Sequence, residues 1–241
     1  METQTDEAQK VLVAAAAANS LTTTLNISFV SADEIDVDFN TMPGNQPNTY
    51  GNFIAIWQNS NAIPWNTEPL KTFPIPSNTQ SGSASFTGLN VTNNSYIVGY
   101  AVGQVLNATG NIQKYGNVCS SAFIPAASSG EGVGTIFTPS ISGINVGTTS
   151  VSFQFDLPDG LLPQTNGAWA AIWKGANPSF YSTAPLASIP ISPDSSSGRA
   201  AFNNVSIGRG TTYTIAIFMS GYNAAGVSTQ RAAACATSFT N

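Results

Sequence analysis

The chain contains no histidine, and only 8% of its 241 residues are charged, where about 25% is usual. Without histidine there is no Ser-His-Asp or Cys-His nucleophile arrangement and no histidine-based zinc or iron site. Two cysteines are too few for an iron-sulfur cluster or a four-cysteine zinc site. No glycine-rich loop runs into Lys-Ser or Lys-Thr, so nucleotide binding has no motif to rest on. The seven basic residues are scattered, with no run that could track phosphates. A net charge of −5 also disfavours anionic membranes. Neither nucleic acid nor a membrane span is expected, and no cofactor is implied.

What the chain does have is hydrophobic mass, at 42% of residues with 10% aromatic, and a long internal repeat. Asn52-Phe53-Ile54-Ala55-Ile56-Trp57 returns 116 positions later as Ala168-Trp169-Ala170-Ala171-Ile172-Trp173. At the same offset Gly51 meets Gly167, Pro69-Leu70 meets Pro185-Leu186, Gly82 meets Gly198 and Phe86 meets Phe202. A one-residue slip aligns Tyr96 with Tyr213, after which Gly110 meets Gly226, Cys119 meets Cys235 and Phe123 meets Phe239. A period this long is the size of a small domain, not of a solenoid unit. The expected division is an arm over 1–19, a first repeat over 20–125, a small-residue linker over 126–133 and a second repeat over 134–241.

The arm has Glu2, Asp6 and Glu7 against Lys10, followed by the short apolar run Val11 to Ala18. A secretory signal has a positive start and a membrane helix needs about 20 apolar residues, so the segment suits neither. Localisation is therefore left open. Thr5 as a cap, acidic residues in the first turn and alanines from Ala14 to Ala18 favour a short helix ending at Asn19.

Beyond the arm the pattern is extended. Ile35-Asp36-Val37-Asp38-Phe39 alternates strictly, as does its copy Val151-Ser152-Phe153-Gln154-Phe155, which predicts half-buried antiparallel strands. Further strands are expected at Leu25 to Val30, Phe53 to Trp57, Leu70 to Ile75, Ala84 to Leu89, Tyr96 to Val102 and Val118 to Phe123. In the second half they are expected at Trp169 to Trp173, Leu186 to Ile191, Arg199 to Val205, Tyr213 to Met219 and Ala233 to Phe239. Short strands separated by turn signals such as Pro43-Gly44 and Pro158-Asp159-Gly160 read as an all-β chain of two tandem β-sandwiches.

The stretch Val205-Ser206-Ile207-Gly208-Arg209-Gly210-Thr211-Thr212-Tyr213-Thr214-Ile215 resembles the entry into strand F of fibronectin type III and related immunoglobulin-like domains. That resemblance implies that Tyr213 is a tyrosine-corner residue, with Tyr96 as its copy. It also implies that Trp57 and Trp173 point into their sandwiches. The first-half stretch Val91-Thr92-Asn93-Asn94-Ser95-Tyr96 lacks the turn glycines. Such sandwiches serve many roles, so the likeness concerns fold.

With Trp57, Ala55 and Phe53 facing inward, Ile54 and Ile56, with Ala170 and Ile172, fall on the outer sheet face. An apolar outer face marks a contact with the other domain, another copy or the arm; these four residues are the expected self-association face. Trp65 and Tyr181 form a second matched pair, each in a polar loop, where a flat ring can stack on a sugar or fold back as a lid. Asp33, Glu34, Asp36 and Asp38 form the one dense acidic site, read either as solvent-facing carboxylates or as a calcium site without EF-hand spacing. The matched cysteines lack a partner within their own repeat, which leaves buried thiols or a bridge between domains or chains. Two functions follow: a non-catalytic structural protein that self-associates or coats a particle, and a carbohydrate-binding, lectin-like module or toxin component.

Overall fold

The computed structural model describes residues 18–131 and 134–241. The strands are β1 (Ala18–Thr22), β2 (Thr24–Val30), β3 (Glu34–Asn40), β4 (Phe53–Gln58), β5 (Lys71–Pro74), β6 (Ser81–Thr87), β7 (Tyr96–Ala101) and β8 (Val118–Ile124). They continue as β9 (Ile136–Phe137), β10 (Ser140–Val146), β11 (Ser150–Asp156), β12 (Trp169–Lys174), β13 (Ala187–Pro190), β14 (Ser197–Asn203), β15 (Thr212–Phe218) and β16 (Ala233–Thr240). One helical turn, α1 (Pro47–Tyr50), interrupts the first half.

All strand pairs are antiparallel. In the first half a sheet ordered β2-β3-β6 packs on one ordered β5-β4-β7-β8-β9, and in the second half β10-β11-β14 packs on β1-β16-β15-β12-β13. The chain is thus two immunoglobulin-like sandwiches. The alternating strands behave as their pattern demands: Ile35, Val37 and Phe39 on β3, and Val151, Phe153 and Phe155 on β11, are all buried.

The repeated Gly82 and Gly198 have a steric cause. Each lies opposite a phenylalanine, Phe39 or Phe155, in the strand register. A Cβ added at either would sit 2.9 or 3.0 Å from the ring's Cζ, so each ring lies flat over bare backbone. The two tyrosines also occupy matching positions. Asn90 N–H donates to the Tyr96 hydroxyl and Gly208 N–H to the Tyr213 hydroxyl, both at 2.9 Å.

The expected helical arm lies outside the described residues from 1 to 17. At Ala18 and Asn19 the expectation is corrected, because these residues open β1. Alanine's helix propensity is worth only tenths of a kcal/mol per residue over ordinary competitors, and the ladder offered by β16 overrides it. Ala127–Ser129 forms a 3-10 turn whose Ala127 and Ser128 amides donate to Val91 and Thr92 carbonyls.

Candidate functional site

The site with the most structure built around it is the seam between the halves. β1 precedes the first sandwich in sequence yet pairs with β16, the last strand of the second. β9 leads into the second sandwich and pairs with β8 of the first. Each half therefore lends its leading strand to the other. Between the donated strands the Thr22 hydroxyl donates to the Pro139 carbonyl at 2.8 Å, and Thr23 N–H donates to the Ala234 carbonyl at 2.9 Å.

Trp65 and Tyr181 repeat the exchange with side chains. Trp65 is 9% exposed, and its indole N–H donates across the seam to the Asp159 carbonyl at 3.2 Å. A Cβ on Gly160 would lie 3.0 Å from that nitrogen, and Gly160 has φ +75, so a glycine suits the place twice over. In the reciprocal contact, the half-buried Tyr181 stacks on Tyr50 at 5.5 Å and packs beside Gly44. Among the described residues the buried Tyr181 hydroxyl has no partner, and burial pushes its pKa up. Trp65 thus offers no free ring to a ligand, and Tyr181 has one face already taken.

A polar knot holds the seam beside these rings. Gln113, 5% exposed, and Asn166, 6% exposed, bond each other: Asn166 Nδ2 donates to Gln113 Oε1 at 2.9 Å, and Gln113 N–H to Asn166 Oδ1 at 2.9 Å. Gln113 Nε2 reaches the Gly160 carbonyl at 2.8 Å, and Leu162 N–H donates to Gln113 Oε1 at 2.8 Å. Sequence reasoning passed over both residues. The available signal was that Asn166 stands where the first repeat has Tyr50, a polar amide in place of an aromatic ring beside the matched Gly51 and Gly167.

The expected self-association face requires correction. Ile54, Ile56, Ala170 and Ile172 are each 0% exposed and lie between the sheets of their own sandwiches. Ile54 pairs in register with Tyr100, whose ring meets Phe39 of the facing sheet at 5.2 Å. Trp57 and Trp173 are the outward side chains of this strand. Trp169, Ala171 and Trp173 form a separate cluster with Met42, Phe180, Ala216 and Phe218, joined by Leu21 from β1. The cause of the reversal is the indole N–H. Trp57 and Trp173 donate to the Thr67 and Thr183 carbonyls at 2.8 Å, acceptors that the loops after the strand supply outside the sheet. Between sheets the carbonyls are committed to ladders. The strand is apolar on both sides as expected, but both sides are covered within one chain.

The ionisable groups with displaced titration divide into buried packing groups and exposed carboxylates. Burial pushes Cys119 up to about 12 and raises Cys235 as well; both thiols are free and buried. Burial likewise raises Tyr100. Asp156 is raised by partial burial and then by the nearby Asp159. Glu68 is lowered by its bonds from Lys114 and Tyr115. In the acidic run, Glu34 accepts from the Ser85 hydroxyl at 2.6 Å and Asp33 from the Ser31 hydroxyl at 3.0 Å. Among the described residues no group of three or more His, Cys, Asp or Glu is placed to hold a metal ion.

At the rim of the seam lies a hollow of about 150 Å³ lined by β7, β8 and β9 of the first sheet, the loop after β4, and Pro158-Asp159 of the second half.

No protein-family model matches the chain, and no curated protein matches it. Among solved structures it is similar to the BSP domain of a biofilm-associated protein, with 12% identity over 86% of this chain and 27% of that one, at a TM-score of 0.21. It is also similar to a Salmonella alpha-2-macroglobulin, with 9% identity over 94% of this chain and 16% of that one, at a TM-score of 0.25. Overlaps at this level carry nothing about function.

Proposed function

We propose that the protein is a non-catalytic structural subunit that associates with further copies of itself. The observation that supports this reading is a matched pair of exposed leucines. Leu70 and Leu186, 48% and 56% exposed, stand at equivalent positions just ahead of β5 and β13, which are edge strands of their sheets. Single exposed leucines are ordinary. Here the copies have diverged elsewhere on the surface, with Asp36 and Asp38 replaced by Ser152 and Gln154, while the exposed leucine stands in both. Each leucine amide also donates inward, to Ile56 and Ile172 carbonyls at 2.8 Å, so the backbone beneath it is held. Two equivalent apolar points make a subunit bivalent, and a bivalent subunit can extend an array.

Sedimentation velocity over a wide concentration range tests the reading. The wild-type chain is expected to sediment as species larger than one chain at high concentration, and the Leu70→Ser/Leu186→Ser variant as a single chain throughout. A wild-type chain that stays monomeric at every concentration overturns it.

A further inference from the structure

We propose that the hollow at the rim of the seam binds a single neutral sugar ring. Its floor is apolar. Ile97 pairs in register with Phe123, and Ser121 with Phe137, so these side chains share the outer face of one sheet beside Trp57. Both phenylalanines are half-buried, leaving ring surface open to the hollow. Around that floor stand four polar side chains, the Asn61 amide, the Ser121 and Thr135 hydroxyls and the Asp159 carboxylate, of which Asn61, Thr135 and Asp159 are exposed. An apolar floor ringed by donors and acceptors matches a pyranose, which has an apolar C–H face and hydroxyls around its edge.

Size and charge narrow the ligand further. At about 150 Å³ the space is below the roughly 300 to 1,000 Å³ of pockets for drug-sized molecules, so it holds one ring and not an oligosaccharide. No lysine or arginine lines it, and Asp159 with nearby Asp156 repels anions, which excludes uronic and sialic acids. The site is composite. Phe137 reaches it because β9 pairs with β8, and Asp159 belongs to the loop whose backbone carbonyl accepts from Trp65. The Asp159 side chain takes no part in that bond, so it can be changed while the seam is kept. The site is independent of self-association: a strict monomer retains it.

The test is a titration of the full chain with glucose, galactose, mannose and N-acetylglucosamine, followed by amide chemical shifts in NMR. At least one neutral sugar is expected to bind with a Kd of about 1 mM and to shift Ser121 and Phe137. Glucuronate is expected to bind at least about tenfold more weakly. Asp159→Ala, a substitution in an exposed loop, is expected to weaken binding about tenfold, and Phe137→Ala to abolish it. Because Phe137→Ala could loosen β9, Asp159→Ala is the deciding variant, with its unchanged amide spectrum elsewhere as the control for folding. The proposal is overturned if no neutral sugar shifts these amides, if glucuronate binds equally well, or if Asp159→Ala binds as the wild type does.

Discussion

Gln113 and Asn166 are the residues whose loss the seam should register most sharply. Each satisfies the other, and each is almost wholly removed from water. Truncating one leaves a buried amide partner unpaired, which costs about 1 to 3 kcal/mol; replacing both removes the shared Asn166–Gln113 side-chain bond once instead of twice, while the Gln113 and Leu162 amides and the Gly160 carbonyl lose their partners in either case. Chemical denaturation should therefore show Gln113→Ala and Asn166→Ala each destabilising by that amount, and Gln113→Leu/Asn166→Leu by less than the two single losses together. Equal and additive losses would mean the knot is not a coupled unit. At this scale the sequence was only partly legible. The alternating residues of β3 and β11 and the two strand-F tyrosines could be read from pattern. The orientation of Trp57 and Trp173 could not, because it depends on carbonyls ten positions along the chain that no periodicity reports.

The core strands of both halves stood where alternation and β-branched or aromatic content put them. β1, β9 and β10 did not announce themselves. β9 is two residues long, β10 carries a glycine and a register shift between Ser142 and Asn145, and β1 is built of Ala, Asn, Ser, Leu and Thr. A strand so short and weakly apolar is stable only beside its neighbour, and for β1 that neighbour lies at the far end of the chain. Leu21 is the side chain by which β1 joins the tryptophan cluster of the second half. Leu21→Asp is expected to lower stability by about 1 to 3 kcal/mol. Val227→Asp, at a side chain 88% exposed, should stay within about 0.5 kcal/mol of the wild type. Indistinguishable denaturation curves for the two variants would show that β1 contributes nothing to the second sandwich.

The duplication was the most legible feature of the whole molecule, since one offset carries tryptophan, glycine, proline and cysteine alike. What the repeat could not disclose is that the copies are not beads on a tether. Strands β1 and β9, the rings of Trp65 and Tyr181, and the Gln113–Asn166 knot all cross between halves, and the strands and rings do so reciprocally, as in an isologous dimer joined into one chain. Met42 from the first half belongs to the buried cluster that holds Trp169 and Phe218 of the second, so the second half's outer sheet face would be wet and apolar if the first half left. Neither sandwich is complete alone, and the two should melt together. Calorimetry of the intact chain tests this most directly. One transition is expected, with calorimetric and van't Hoff enthalpies in agreement; two resolved transitions, one per half, would contradict the interlocked seam.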